Sequence, residues 1–140
     1  MSRLFIYNRD HMVENDGNES LYFVPSKLKD EESLYKFFLS TGLLPDYFGF
    51  NWDALLDSLR DLSWVKTKSV TLIHSDIPFL NDKEICNIYL DILQTAVMDW
   101  RMPENTTLLY LPPGSTYVNH DFSVVFPQNC ESVVSEILDE

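Results

Sequence analysis

The stretch Leu43-Leu44-Pro45-Asp46-Tyr47-Phe48-Gly49-Phe50-Asn51-Trp52-Asp53-Ala54-Leu55-Leu56-Asp57-Ser58-Leu59-Arg60-Asp61-Leu62 constrains this chain more than any other. Pro45 and Gly49 punctuate a tight turn rich in aromatics, and Asn51 stands where a helix N-cap is needed, its side chain able to accept from the first free backbone N–H groups. The spacing predicts a short helix from there. Trp52, Leu55, Leu59 and Leu62 make one apolar stripe, while Asp53, Asp57 and Asp61 recur along another face. Like charges at that spacing oppose a helix by roughly 0.2–0.5 kcal/mol per pair. Asp53 recovers part of this near the positive helix N-terminus, and Arg60 can partly neutralise Asp57. One side of the helix docks, and the other is an acid ridge.

Two readings of the ridge stand side by side. Acids on the exposed face of a surface helix can simply be solvated. They can also meet a basic partner, and the aromatic turn just before them fits that reading, because interfaces favour aromatic anchors beside complementary charge.

The pattern Leu-Pro-acid-Tyr-aromatic-Gly-x-Asn-x-Asp-Ala-Leu-x-Asp-x-Leu, matched from Leu44 to Leu59, resembles the signature of barstar-like proteins, the intracellular inhibitors of secreted ribonucleases such as barnase. From about residue 21 to 111 the likeness extends to the order of elements. The resemblance implies an α/β fold with a small parallel sheet of three strands packed against helices. It also implies that turn and helix fill the ribonuclease cleft, with acids where the RNA phosphate would lie. On that basis Tyr47 covers the cleft, Asn51 sits at its rim, and Asp53 and Asp57 meet catalytic or phosphate-binding Arg, Lys or His side chains, with Gly49 shaping the turn. Tyr47, Phe48 and Leu56 supply the apolar centre. The chain departs from the best-known member at Leu56, where that member has Trp, and at Arg60, where it has a small polar residue. Arg60 places a positive charge beside the expected phosphate mimic, which points to a target other than barnase. Trp64 is the candidate for the family's contacting aromatic after the helix, and Thr95 lies nearest to its late contacting acid.

The whole chain agrees with a basic partner. In 140 residues, 22 acids face 10 Lys and Arg, for a net charge of -12. That balance disfavours direct binding to nucleic acid or to an anionic membrane and favours fast, salt-sensitive capture of a basic protein, although acidity also serves solubility. The hydrophobic share of 45% is enough for one well-filled domain over residues 1–140. Cys86 and Cys130 show no disulfide-rich pattern and are expected as reduced thiols. The N-terminal apolar run is too short for a signal peptide and no stretch approaches a membrane span, so the expectation is a cytoplasmic monomer without cofactors.

In chain order, Leu4–Tyr7 and Leu21–Val24 read as strands that could form a hairpin around a polar loop containing His11. Asp30–Ser40 reads as an amphipathic helix ended by Gly42. Ser69–His74 is a strand, and a long helix opens at Asn81 with Glu84 close to a capping box, running through Ile85, Ile88, Tyr89, Ile92, Leu93, Ala96, Val97 and Trp100. Thr107–Leu111 is a further strand, closed by Pro112-Pro113-Gly114. Residues 112–140 form an addition beyond the family core, with a strand at Phe122–Phe126 and a helix at Glu131–Leu138. The two extra strands are expected at the edges of the sheet.

One enzymatic reading competes. His74-Ser75-Asp76 and Asn119-His120-Asp121 could bring His74, Asp76, His120 and Asp121 together as a transition-metal set for a hydrolase, although their spacing matches no zinc motif. An acidic adaptor for some other basic protein is a third reading, distinguished from the inhibitor only by its target.

Overall fold

The computed structural model describes residues 4–7, 18–102 and 119–138. These build a four-stranded sheet, all of whose neighbouring strands run parallel, together with four α-helices. The elements are β1 (Ile6–Tyr7), β2 (Glu19–Val24), α1 (Glu31–Thr41), α2 (Trp52–Asp61), β3 (Ser69–His74), α3 (Lys83–Arg101), β4 (Asp121–Phe126) and α4 (Glu131–Ile137). No helix among the described residues is long and apolar enough to cross a membrane. The expected strand at Thr107–Leu111 and the loop with His11 lie outside the described residues.

The strand order is β1-β4-β3-β2, and two expectations change with it. The first two strands form no hairpin, because β1 and β2 stand at opposite edges of the sheet. Of the two extra strands, β1 does take an edge, but β4 runs between β1 and β3, with Leu72 opposite Val124 and Ile6 opposite Val125. Its composition accounts for the interior place. Phe122, Val124, Val125 and Phe126 are all buried, which is the near-continuous apolar run of a strand covered on both faces.

Local chemistry sets the helix ends. Asp30 caps α1, its carboxylate accepting from the Ser33 N–H at 2.9 Å and the Ser33 hydroxyl at 2.7 Å, and these bonds hold its pKa below the usual carboxylate range. Gly42 ends α1 at φ 85°, a conformation open to glycine without strain. The long helix α3 begins one residue later than its sequence suggests, with Asp82 rather than Asn81 as N-cap. It packs on α2, β4 and α4 and buries Cys86, Tyr89, Leu90, Leu93, Ala96, Val97 and Trp100. Both cysteines are free, and burial pushes the Cys86 thiol up to about 11, so it is inert at neutral pH.

His74 is a core residue. Its Nδ1 lies 3.2 Å from the Val125 carbonyl, which can only accept, so Nδ1 carries the proton and Nε2 accepts from the Tyr89 hydroxyl at 2.7 Å. The imidazole stacks on Phe126 with centroids 4.2 Å apart. Burial drives its pKa from 6.5 down to about 3, because the charged form would lose its solvent.

This burial has a measurable consequence. Between pH 6.5 and 3 the unfolded chain binds a proton at His74 that the folded chain does not, so the stabilisation present above pH 6.5 is lost as the pH falls. Urea denaturation at pH 7 and pH 5 is expected to show an unfolding free energy lower at pH 5 by about 1.4 kcal/mol for each pH unit below 6.5. His74→Gln flattens that slope. Equal slopes in the two proteins would remove His74 as the cause.

Candidate functional site

The segment between α1 and the end of α2 is held by side-chain caps and ring packing. Asn51 Oδ1 accepts from the Ala54 N–H at 2.7 Å, and Asn51 Nδ2 donates to the Gly49 carbonyl at 3.2 Å. One side chain thus caps α2 and ties the turn to it. The left-handed residue in this turn is not Gly49 but Phe50, at φ 54°. A bulky residue there is strained, and packing holds it: the Phe50 ring lies 5.9 Å from Tyr35 and 5.4 Å from Phe48. Tyr35 is fully buried and also receives Phe48 and Trp52 edge-on at 5.0 and 5.5 Å. Its hydroxyl donates to Glu31 at 2.9 Å, and burial, then that carboxylate, raise its pKa.

The other end of α2 is anchored from the core. Trp100 Nε1 donates to the Leu59 carbonyl at 2.7 Å, and His120 Nε2 donates to the Leu62 carbonyl at 3.0 Å. These carbonyls lie at the helix end, where the helix itself supplies no donor, and that of Leu62 also accepts from the Val65 N–H at 3.0 Å. Leu62 closes the helix at φ 49° with its side chain buried.

With the helix fixed, its charged residues fall on the outer side. Asp53, Asp57 and Asp61 are exposed. Asn51 and Gly49 are exposed beside them, Leu56 and Trp64 are half-buried, and Tyr47 is 77% exposed, its ring edge-to-face with Trp64 at 6.5 Å. Trp64 is pinned by its Nε1 bond to the Leu43 carbonyl at 2.9 Å. Tyr47, Trp64, Asp46, Pro45 and Ser63 line an open groove of about 520 Å³. Tyr47 and Trp64 are thus brought together, the acids stand exposed on α2, and two of the residues singled out in the sequence are placed otherwise than expected. Phe48 is only 7% exposed and belongs to the core, where it supports the turn, while Phe50, its neighbour at i+2, is 49% exposed. In an irregular turn no periodicity tells which of two aromatics points inward. Arg60 is also placed otherwise than its spacing suggests: its Nε pairs with Asp99 of α3, not with Asp57. Thr95 lies on α3, half-buried.

The metal reading fails on register. Ser69 at the start of β3 faces Asp121, so His120 and Asp121 lie at one end of the sheet and His74 and Asp76 at the other, about 16 Å away along parallel strands. His74 has both ring nitrogens hydrogen-bonded in the core, His120 is buried with Nε2 bonded to the Leu62 carbonyl, and Asp76 Oδ2 accepts from the Lys27 N–H at 3.0 Å, while His120 Nδ1 and Asp76 Oδ1 are buried without a hydrogen bond. No cluster of His, Cys, Asp and Glu suited to a metal occurs among the described residues.

The chain is thus a parallel α/β domain in which an aromatic turn leads into a helix with an exposed row of acids. The family model of barstar, described as the barnase inhibitor, matches residues 19–112, and the chain belongs to that family. No match was found among curated proteins or among solved structures. Within the matched span lie the turn, α2, β3 and α3, whereas β4 and His120, which caps the end of α2, lie beyond it.

The double role of Asn51 is testable in the free protein. Asn51→Ala is expected to lower the unfolding free energy by about 1 kcal/mol through loss of the cap, and Asp57→Ala to change it by less than about 0.5 kcal/mol. Urea denaturation of both variants measures this, and an Asp57 effect as large as the Asn51 one would show that the ridge is structural.

Proposed function

We propose that this protein is a ribonuclease inhibitor, an immunity protein that binds a basic ribonuclease or ribonuclease toxin domain one-to-one in the cytoplasm and fills its active site with α2 and the preceding turn. It acts as a single domain, needs no cofactor and is a monomer when free. The observation that supports this reading is the exposed pair Asp53 and Asp57 on a helix capped at both ends, with exposed Tyr47 in the turn before it, in a chain of the barstar family.

Asp53 and Asp57 take Arg, Lys or His side chains that bind RNA phosphate in the target. Tyr47 and Trp64 cover the rim of the cleft with Asn51, and Leu56 with Phe50, rather than the buried Phe48, supplies the apolar contact. Acids stand in for the phosphate because a carboxylate accepts the same charge-assisted hydrogen bonds from guanidinium and ammonium groups. The protein's net charge of -12 adds long-range attraction to a basic enzyme, which speeds encounter and makes it salt-sensitive.

The test is a titration against a panel of small basic ribonucleases and toxin nuclease domains, with RNA cleavage as the readout, at low and moderate salt. The expected result is inhibition with a one-to-one endpoint, weakened by salt. Asp57→Ala weakens it by about 2–5 kcal/mol, the general range for truncated buried charge pairs, of which the barnase–barstar complex is the standard example. RNA cleavage by the protein alone would overturn the proposal.

A further inference from the structure

Arg60 is the only cation on α2, and it lies three residues after Asp57, where helical side chains meet. Left to its own helix it would fold back over Asp57 and neutralise the ridge. In the structure its Nε is held instead by the Asp99 carboxylate of α3. The neighbouring residues explain why this hold is reproducible: Leu59, just before Arg60, accepts from the buried indole of Trp100, just after Asp99, at 2.7 Å. That buried bond sets the register of α3 against α2 and brings Asp99 to Arg60 whether or not the ion pair forms.

We infer that Asp99 is a positioning residue for the acid face: by drawing Arg60 onto α3 it keeps the guanidinium off Asp57 and leaves Asp53 and Asp57 uncompensated for a basic partner. The pair adds little to stability, because Arg60 is 48% and Asp99 30% exposed, and ion pairs that wet are weak. Its effect lies in where the charge stands. The consequence for binding rests on the inhibitor reading, whereas the placement of Arg60 is a property of the free chain.

The experiment therefore has two arms, run on Asp99→Asn, Arg60→Ala/Asp99→Asn and, as a control for net charge, Asp91→Asn on the exposed side of α3. In the free protein, through-space NMR contacts of the Arg60 δ-methylene are expected to run to the β-protons of Asp99 in the wild type and to those of Asp57 in Asp99→Asn. In the binding arm each protein is titrated with a labelled octa-lysine peptide at low salt and with every ribonuclease that the wild type inhibits. Asp99→Asn is expected to bind about fivefold more weakly, the effect of one unit charge at contact in water. Asp91→Asn should lose far less, and the double variant should recover.

Loss of affinity no greater in Asp99→Asn than in Asp91→Asn, or Arg60 contacts that stay away from Asp57, would overturn the inference. If Arg60 moves and octa-lysine binding falls while no ribonuclease is inhibited, the inference holds and the inhibitor reading fails.

Discussion

The acid face depends on two carbonyl oxygens. The end of α2 leaves the carbonyls of Leu59 and Leu62 without helical partners: Trp100 from α3 donates to the first, and the second accepts both from the Val65 N–H and from His120, the residue before β4. A buried carbonyl without a partner would destabilise the fold by about 1–3 kcal/mol, so the Leu59 bond makes the end of α2 depend on α3, while His120 adds a second donor at Leu62. This makes the C-terminal part of the chain more than a covering for a sheet edge. β4 completes the middle of the sheet, and the residue that leads into it holds the end of the helix whose other face carries the acids.

The opposite end of α2 is held by rings. Phe48, Phe50 and Trp52 converge on Tyr35, and Trp52 continues to Phe79 and Tyr89, whose hydroxyl donates to His74. The turn is thereby coupled to the centre of the core through aromatic contacts of 5–6.5 Å, the range in which edge and face attract. Such coupling explains how Phe50 keeps a left-handed backbone that a phenylalanine seldom adopts. It also means that exposed Tyr47 stands next to a turn whose other aromatics are packed on the core.

What was legible in the sequence was what local chemistry decides. Asn51 before Trp52 and Asp30 before Glu31 are caps whose geometry depends on a few neighbouring residues, and both helices start where those residues stand. The stripe Leu55, Leu59 and Leu62 reports burial directly, and all three side chains are fully buried. Which strands pair was not legible, because the apolar content of β1 and β4 states that they are buried but not beside what. The same gap misled the histidines. His74 and His120 next to aspartates look like ligands when only chain neighbours are visible, yet each hydrogen-bonds a backbone carbonyl far away in sequence, of Val125 and Leu62 respectively. Arg60 failed for the same reason, since its partner Asp99 is brought by helix packing and no intrahelical rule can see it.

Exposure of the ridge has an energetic meaning for any partner. In the free protein the carboxylates of Asp53 and Asp57 stay hydrated, so folding carries no penalty for burying them. The desolvation cost is transferred to the moment of binding, and it is offset only by donors that meet both carboxylates with good geometry. Four residues of helix separate the two acids by about 6 Å along the axis. A partner whose cations are spaced to match recovers the cost at both sites together, while a basic surface with cations placed at random strips water from one acid without replacing it. Net charge alone would attract any basic protein; under the proposed function, the fixed separation of two acids on a helix clamped at both ends would discriminate among them.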